Sequence, residues 1–282
     1  MEEKVTTATH VRRVISYIVL VIITILCLFW FYILFINATR SHAELTKGFT
    51  LLPSTFLGRN LYHVLHGTQP VARGLLNSVI VSGSCAVLTT YFSAMTAFAI
   101  HAYRFKGREA IFTFILAIMM IPTQVTALGF VQLMTSWGLM DNFIPLIVPS
   151  VAAPVVFFYM KQSMDATLPA SLMEAARIDG AGEVRIFNTI VIPLMKPAIA
   201  VQAIFAFVSA WNNYFQPALI LHKDYMKTLP ILIAQLRGAD FLKFDMGQVY
   251  AMIAFSIFPV IIVYLFLSKY IVGGTTAGAV KG

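Results

Sequence analysis

Val14-Ile15-Ser16-Tyr17-Ile18-Val19-Leu20-Val21-Ile22-Ile23-Thr24-Ile25-Leu26-Cys27-Leu28-Phe29-Trp30-Phe31-Tyr32-Ile33-Leu34-Phe35-Ile36 runs without one charged side chain. A bilayer core of ~30 Å is crossed by about 20 mostly apolar helical residues, so this run is long enough to span it. Further stretches of membrane length follow at Leu75–Ala99, Ile111–Leu133, Phe143–Met160, Ala198–Leu221 and Val249–Ile271. Phe143–Met160 is the shortest and carries Pro145, Pro149 and Pro154. Prolines free backbone carbonyls that lipid cannot satisfy, so this span is expected against protein neighbours. The fold class read from this pattern is an all-α membrane protein of six transmembrane helices, one domain over residues 1–282.

The composition agrees. Of 282 residues, 59% are hydrophobic and only 11% charged, against about 25% charged in a soluble domain. So little charge cannot clothe a water-soluble globule. The net charge of +8 would suggest nucleic acid in a soluble protein. Here the basic residues sit in short clusters beside apolar runs, which writes membrane topology, and no basic stripe interleaved with aromatics appears. Nucleic acid is therefore not an expected partner; membrane lipid is. Cys27 and Cys85 both lie in apolar runs without a CxxC partner, which supports neither a disulfide nor a metal site. His10, His42, His63, His66, His101 and His222 are scattered. His63 and His66 share a helical face, but no carboxylate joins them, and no catalytic constellation or metal signature emerges.

Arg12 and Arg13 precede the first span as they would a signal peptide. Signal cores run about 7–15 residues and end at a small-residue cleavage site. This core is longer and lacks such a site, so it reads as an uncleaved anchor. Lys4, Arg12 and Arg13, then Arg104, Lys106 and Arg108, then Lys161, Arg177, Arg185 and Lys196, and finally Lys269 and Lys281 all fall on one side of six alternating spans. Their density in short loops marks that side as cytoplasmic. A multi-pass cell-membrane protein with both termini in the cytoplasm is expected.

The insert at residues 161–196 interrupts the apolar pattern between spans four and five. Pro169 suits the first turn of a helix, and Ala170–Ile178 holds good helix formers. Leu172, Ala175, Ala176 and Asp179 fall on one face by spacing. Gly180 and Gly182 stop the helix. A second short amphipathic stretch, Glu183–Ile192, leads to Pro193 and Pro197 at the opening of span five. Glu174 is placed to pair with Arg177 at i+3, or with a base on a partner. Small side chains on a rigid short helix suit insertion into a cleft; an interfacial helix or a plain linker is the alternative.

Glu174-Ala175-Ala176, Asp179-Gly180 and the later Ile190-Val191-Ile192-Pro193 have the spacing of the EAA loop, and the chain resembles the permeases of ABC importers. It is similar to the MalG-like carbohydrate branch over nearly its whole length. The matching phrases are Met120-Ile121-Pro122 with Gln124, Gly138-Leu139 with Asp141-Asn142, Leu168-Pro169, Trp211-Asn212-Asn213 with Pro217, and the ending Thr276–Gly282. Ile192 stands where the family usually has Leu, a conservative change. Gly273-Gly274-Thr275 also departs from the family, which more often has a leucine there. The resemblance implies that Glu174, Ala175, Ala176, Asp179, Gly180, Ile190, Ile192 and Pro193 couple the chain to a separate ATPase. It implies a second related permease as heterodimer partner, an ABC ATPase dimer, and an extracytoplasmic solute-binding protein. No Walker A motif occurs, so no catalysis and no cofactor are assigned to this chain; ATP and Mg belong to the partner ATPase. The class is bacterial or archaeal. The tail, residues 272–282, is expected at the cytoplasmic face, with Thr276–Gly282 reaching the ATPase.

The implied cargo is a sugar or oligosaccharide; a non-sugar solute such as a glycerol phosphodiester or a polyamine is the alternative. Polar groups at membrane depth either line a path or join helices. Asn77, Gln124, Trp211, Asn212, Asn213 and Gln216 are the candidates for the path, with Ser78 beside them. Prolines 217 and 259 are expected to kink spans five and six. The resemblance implies that the outer loops, Arg40–Gly74 and Leu221–Gln248, are the docking face for the binding protein, with packing on the partner permease as the alternative; Phe56, Leu57, Asn60, Leu61, Val64 and Leu65 have the pattern of an amphipathic interfacial helix. A channel or ion-coupled carrier is disfavoured, because the spans hold almost no acidic residue.

Overall fold

The computed structural model describes the backbone of residues 7–238 and 244–279, and side chains over 9–238 and 244–271. Among the described residues every regular element is helical. In chain order these are α1 (Thr7–Ala38), α2 (His42–Thr46), α3 (Leu57–His66), α4 (Val71–Ala102), α5 (Arg108–Ile118), α6 (Thr123–Ser136), α7 (Ile144–Ile147) and α8 (Pro154–Thr167). Then come α9 (Ala170–Ile178), α10 (Glu183–Ile186), α11 (Ile192–Leu194), α12 (Lys196–Trp211), α13 (Phe215–Ile220), α14 (Leu229–Arg237) and α15 (Met246–Ala279). Four helical stretches are long and apolar enough to cross a membrane, and up to six spans result if each of two bent pairs is one.

The bent pairs refine the expected spans. The stretch expected as span three falls on two helices, α5 and α6, which meet at 93° around Met119–Pro122. Pro122 takes an extended conformation (ψ 131°) and starts α6 without a side-chain cap, since its ring forbids continuation of α5. The stretch expected as span five is preceded by an 83° break between Glu183–Leu194 and α12, and Asn212, Asn213 and Tyr214 separate α12 from α13. The loop expected from Lys161 begins as helix instead. Here α8 runs through Thr167, and Lys161 is buried within it. At Pro259, where a kink is expected, α15 continues as helix.

The chain divides into two units. The first comprises residues 1–69 and 235–255. Its α1 is apolar and exposed over most of its length, with Trp30 72% exposed, and buries Ile36 and Ala38 at its C-terminal end. Ser41 and Glu44 form a capping box at α2, satisfying two otherwise orphaned amides reciprocally. Asn60 and Val64 form the buried face of α3. The Asn60 amide donates to the carbonyls of Ala38 and Arg40, both at 2.9 Å. Gly247 passes so near that a Cβ there would lie 2.5 Å from the Arg40 carbonyl oxygen; only glycine fits this approach.

The second unit, residues 70–234 and 256–282, is built around α4, which packs on α8 and α12. The residues that α4 buries are mostly small, among them Ser82, Ala86, Ser93, Ala94 and Ala97, and small residues let membrane helices approach closely. Asn77 donates to the carbonyls of Tyr225 and Lys227, at 3.0 and 2.9 Å, and Ser78 Oγ accepts from the Leu229 amide at 2.8 Å. These polar groups join α4 to the start of α14.

Elsewhere in this unit, Gly138 caps α6 in the left-handed region (φ 67°), followed by Asp141 (φ 54°); aspartate tolerates that region better than most residues. The Asp141 amide donates to Ile220 O at 3.0 Å. Its carboxylate accepts from the amides of His222 and Lys223, at 2.6 and 2.9 Å. The hydrogen bond from Lys223 leads in holding the Asp141 carboxyl below its ordinary range.

Candidate functional site

Two features of the second unit are candidates: the hairpin after α8, and a cavity bordered by α4, α8 and α12. In the hairpin, α9 buries Met173 and Ala176. They join a core with Phe98 and Ile100 of α4, Phe157, Met160 and Met164 of α8, and Ile186, Phe187 and Val191 beyond the turn. The buried face of α9 is thus Met173/Ala176. Of the face expected from Leu172, Ala175, Ala176 and Asp179, only Ala176 is buried and the other three are exposed. A 3.6-residue period fixes which residues share a face but not which face turns inward when both are apolar.

Gly180 turns the chain at φ 76° with nothing within 4 Å of a hypothetical Cβ. Its requirement is conformational, because the left-handed region costs other residues about 1–2 kcal/mol. Across that turn Arg177 meets Glu183, Nε to Oε1 at 2.7 Å and Nη2 to Oε2 at 3.3 Å. Arg177 also lies 5.3 Å from the centre of the Tyr103 ring, a cation–π distance. The i+3 partner expected for Arg177, Glu174, is exposed, and Arg177 pairs with Glu183 instead. Burial, with the neighbouring Glu183, pushes the Tyr103 phenol up. Ile178 and Val184 stand 86% and 76% exposed on either side of the glycine turn.

The hairpin returns through Phe187–Val191, wound as π-helix, a form found often at functional sites. Val191 is fully buried, while Ile190 and Ile192 pack partly buried on the same core. Pro193 sits in α11 and Pro197 in the first turn of α12.

The cavity has a volume of about 1060 Å³, at the upper end of small-molecule sites. Its polar lining comes from Thr89, Thr123, Ser150, Tyr159, Gln202, Ser209, Asn213 and Gln216, and Phe205 adds an aromatic face. Among the described residues, no Asp, Glu, Lys, Arg or His lines it. Asn213 donates to Gln216 Oε1 at 3.2 Å, so these two expected path residues are brought together on the wall. The others lie elsewhere. Asn77 spends both amide hydrogens on backbone carbonyls. Trp211 is buried and stacks on Phe207, centroids 5.6 Å apart. Asn212 and Gln124 are exposed and outside the lining. Gln202, Ser209 and Thr89 were missed by sequence reasoning, although Gln202, Ser209, Asn213 and Gln216 recur at helical spacing and so carried a readable signal.

Among the described residues, no group of three or more His, Cys, Asp or Glu could hold a metal ion. His66 stacks on Tyr62 with centroids 4.5 Å apart. The expected docking loop at Leu221–Gln248 includes residues 239–243, and the expected tail contact includes 280–282; both groups lie outside the described residues, as do the side chains of 272–279.

Comparison with known proteins places this geometry in context. The family of binding-protein-dependent transport system inner membrane components matches residues 87–276. The arabinooligosaccharides transport system permease protein AraQ of Bacillus subtilis (strain 168) is 33% identical over 278 residues, covering 96% of this chain and 97% of that protein. The sn-glycerol-3-phosphate transport system permease protein UgpE of Yersinia pestis is 30% identical over 267 residues, covering 93% and 95%. Among solved structures, one chain of a bacterial ABC transporter involved in the import of the acidic polysaccharide alginate matches with TM-score 0.78 at 25% identity, covering 94% of this chain and 98% of that one.

Proposed function

The chain belongs to the family of binding-protein-dependent transport system inner membrane components, and on that premise we propose that it is the permease subunit of an ATP-driven ABC importer for an uncharged sugar or oligosaccharide. The observation that carries the reading is the similarity to an arabinooligosaccharide permease along 96% of this chain. The cavity supports the choice of cargo. Hydroxyl and amide groups with an aromatic face suit a neutral saccharide, whereas a phosphate or an ammonium would find no opposite charge on this wall. That observation favours a sugar over a glycerol phosphodiester or a polyamine.

In this reading the six spans include the two bent pairs, both termini face the cytoplasm, and the protein resides in the cell membrane of a bacterium or archaeon. The hairpin Ala170–Ile192 docks in an ATPase dimer that binds ATP and Mg, and Ile178 and Val184 enter an apolar cleft there. Glu174, Ala175, Asp179 and Gly180 lie on the exposed part of that hairpin. Closure of the ATPase pushes the hairpin, and Pro193 and Pro197 carry the motion into α12, which bears Gln202 and Ser209. A second permease completes the cavity, and an extracytoplasmic solute-binding protein delivers the cargo to the outer loops.

Affinity capture from native membranes tests the assembly. Recovery of a second permease, a Walker-motif ATPase and an exported binding protein is expected. Recovery of the chain alone, in detergent mild enough to hold comparable complexes together, contradicts the reading.

A further inference from the structure

One polar cluster plays no part in the coupling hairpin's turn or in the cavity wall. His101, in the last turn of α4, places Nδ1 2.8 Å from Asp165 Oδ1 and Nε2 3.0 Å from the carbonyl oxygen of Leu168. Lys161, one turn before Asp165 on α8, has Nζ 2.6 Å from both Asp165 oxygens. The His101 and Lys161 side chains are 14% and 11% exposed, while Asp165 remains half-exposed. Both imidazole nitrogens lie within hydrogen-bonding distance of oxygen atoms, a carboxylate on one edge and a main-chain carbonyl on the other, and the Nε2–H form of the ring donates to the carbonyl.

The position of that carbonyl matters. Leu168 is the single residue between the end of α8 at Thr167 and Pro169, which opens α9. Leu168 is itself 3% exposed and shares the core that takes Met173 and Ala176 from α9. Apolar contact alone leaves α9 free to slide, because it is non-directional. The hydrogen bond to Leu168 is directional and fixes the root of the helix. Asp165 orients the imidazole from behind, and Lys161 holds Asp165, as successive partners orient a ligating histidine. Burying Lys161 is tolerable because its charge meets both carboxylate oxygens.

We propose that His101, backed by Asp165 and Lys161, is a positioning residue that fastens the root of α9 to the end of α4. Displacement of the hairpin tip then moves α4 and α8 with it, a route into the cavity separate from that through Pro193 and Pro197. Both α4 and α8 contribute cavity lining, through Thr89 and Tyr159, so the route ends where the cargo would sit. The inference rests on the reading of α9 as the element that meets the ATPase.

The test uses the complete transporter in lipid nanodiscs and proteoliposomes, with His101→Gln, His101→Leu, Asp165→Asn and the double variant His101→Leu/Asp165→Asn. Solute moved per ATP hydrolysed is the first readout. A merely structural loss lowers transport and hydrolysis together and leaves the ratio unchanged. The ratio is expected to fall about fivefold or more in His101→Leu, the lower end of typical couplings between sites. His101→Gln, which keeps a donor, restores part of it. The double variant is no worse than the poorer single one, because the two residues act as a unit. Wild-type ratios in all variants, or independent multiplicative losses, overturn the proposal.

Hydrogen exchange over residues 168–178 is the second readout, and it is available in His101→Gln even where the leucine variant fails to assemble. Faster exchange confined to that segment is expected, and unchanged exchange overturns the fastening role. A wild-type complex that takes up no solute and hydrolyses no ATP refutes the importer reading instead, while the exchange result still decides whether His101 fastens α9.

Discussion

The Arg177 guanidinium holds the Glu183 carboxylate through Nε–Oε1 at 2.7 Å and Nη2–Oε2 at 3.3 Å, closing the turn at Gly180. The side chains are 33% and 41% exposed, so solvent screening keeps the stability worth of the pair within about 1 kcal/mol. Its consequence is geometric: two parallel bonds set the angle between α9 and α10. Arg177→Gln is expected to leave membrane insertion intact and lower solute moved per ATP several-fold. Uptake and hydrolysis measured together in proteoliposomes check this, with Arg177→Lys intermediate because an ammonium cannot make the paired contact.

Gly180 gives a second handle on the same turn. Space is open around it, so a substitution there acts through φ alone. Gly180→Val is expected to raise the free energy of the native turn by about 1–2 kcal/mol and to reduce transport without loss of the membrane-inserted protein. Gly180→Asn, which tolerates a positive φ better, retains more activity. Uptake normalised to membrane protein separates these outcomes, and full activity in the valine variant contradicts the coupling role.

On the cavity wall, Gln202 is 8% exposed and sits within the apolar run of α12. Gln202→Leu keeps the side-chain volume and removes the amide. The half-saturating solute concentration for uptake is expected to rise about fivefold, the worth of one net hydrogen bond of ~1 kcal/mol, while detergent-solubilised stability is unchanged or higher. Unchanged uptake removes Gln202 from the path.

Asp141 predicts an acid limit on local order. Its folded carboxyl lies below the ordinary value of 3.8, led by the Lys223 amide bond. A depressed folded value means the stabilisation is fully present above 3.8 and is lost as pH falls through the lower folded value. Protection of the His222 and Lys223 amides, measured against their intrinsic exchange rate at each pH, is expected to be high at neutral pH and to fall in acid. Asp141→Asn, which cannot ionise, is expected to lack that acid-dependent step and to show weaker protection at neutral pH.

How far the sequence could be read follows from what each signal encodes. Spans of apolar residues were legible because length and polarity alone decide membrane crossing, and α1 and α4 contain their expected spans. The 93° break before α6 was not, because Pro122 announces an interruption without its angle. The helix–glycine–helix pattern of the insert was legible from Pro169, Gly180 and Gly182. Its inward face was not, since Met173 and Leu172 are both apolar and only the tertiary core chooses between them. Asn77 shows the same limit in the candidate site. A buried amide in a span announces that it needs partners, and here the partners are the carbonyls of Tyr225 and Lys227, about 150 residues away. Gln202, Asn213 and Gln216 lie at helical spacing across the α12–α13 junction, so the wall could have been found by period, whereas Tyr159 and Thr89 needed the packing of α8 and α4.

The central claim, that this chain is a conduit driven by an ATPase on another chain, is tested most directly by uptake in proteoliposomes holding the captured complex. The account predicts accumulation of a neutral oligosaccharide only when ATP and the ligand-loaded binding protein are both present, and none with the purified chain alone. Passage of solute through the purified chain without ATP would contradict it.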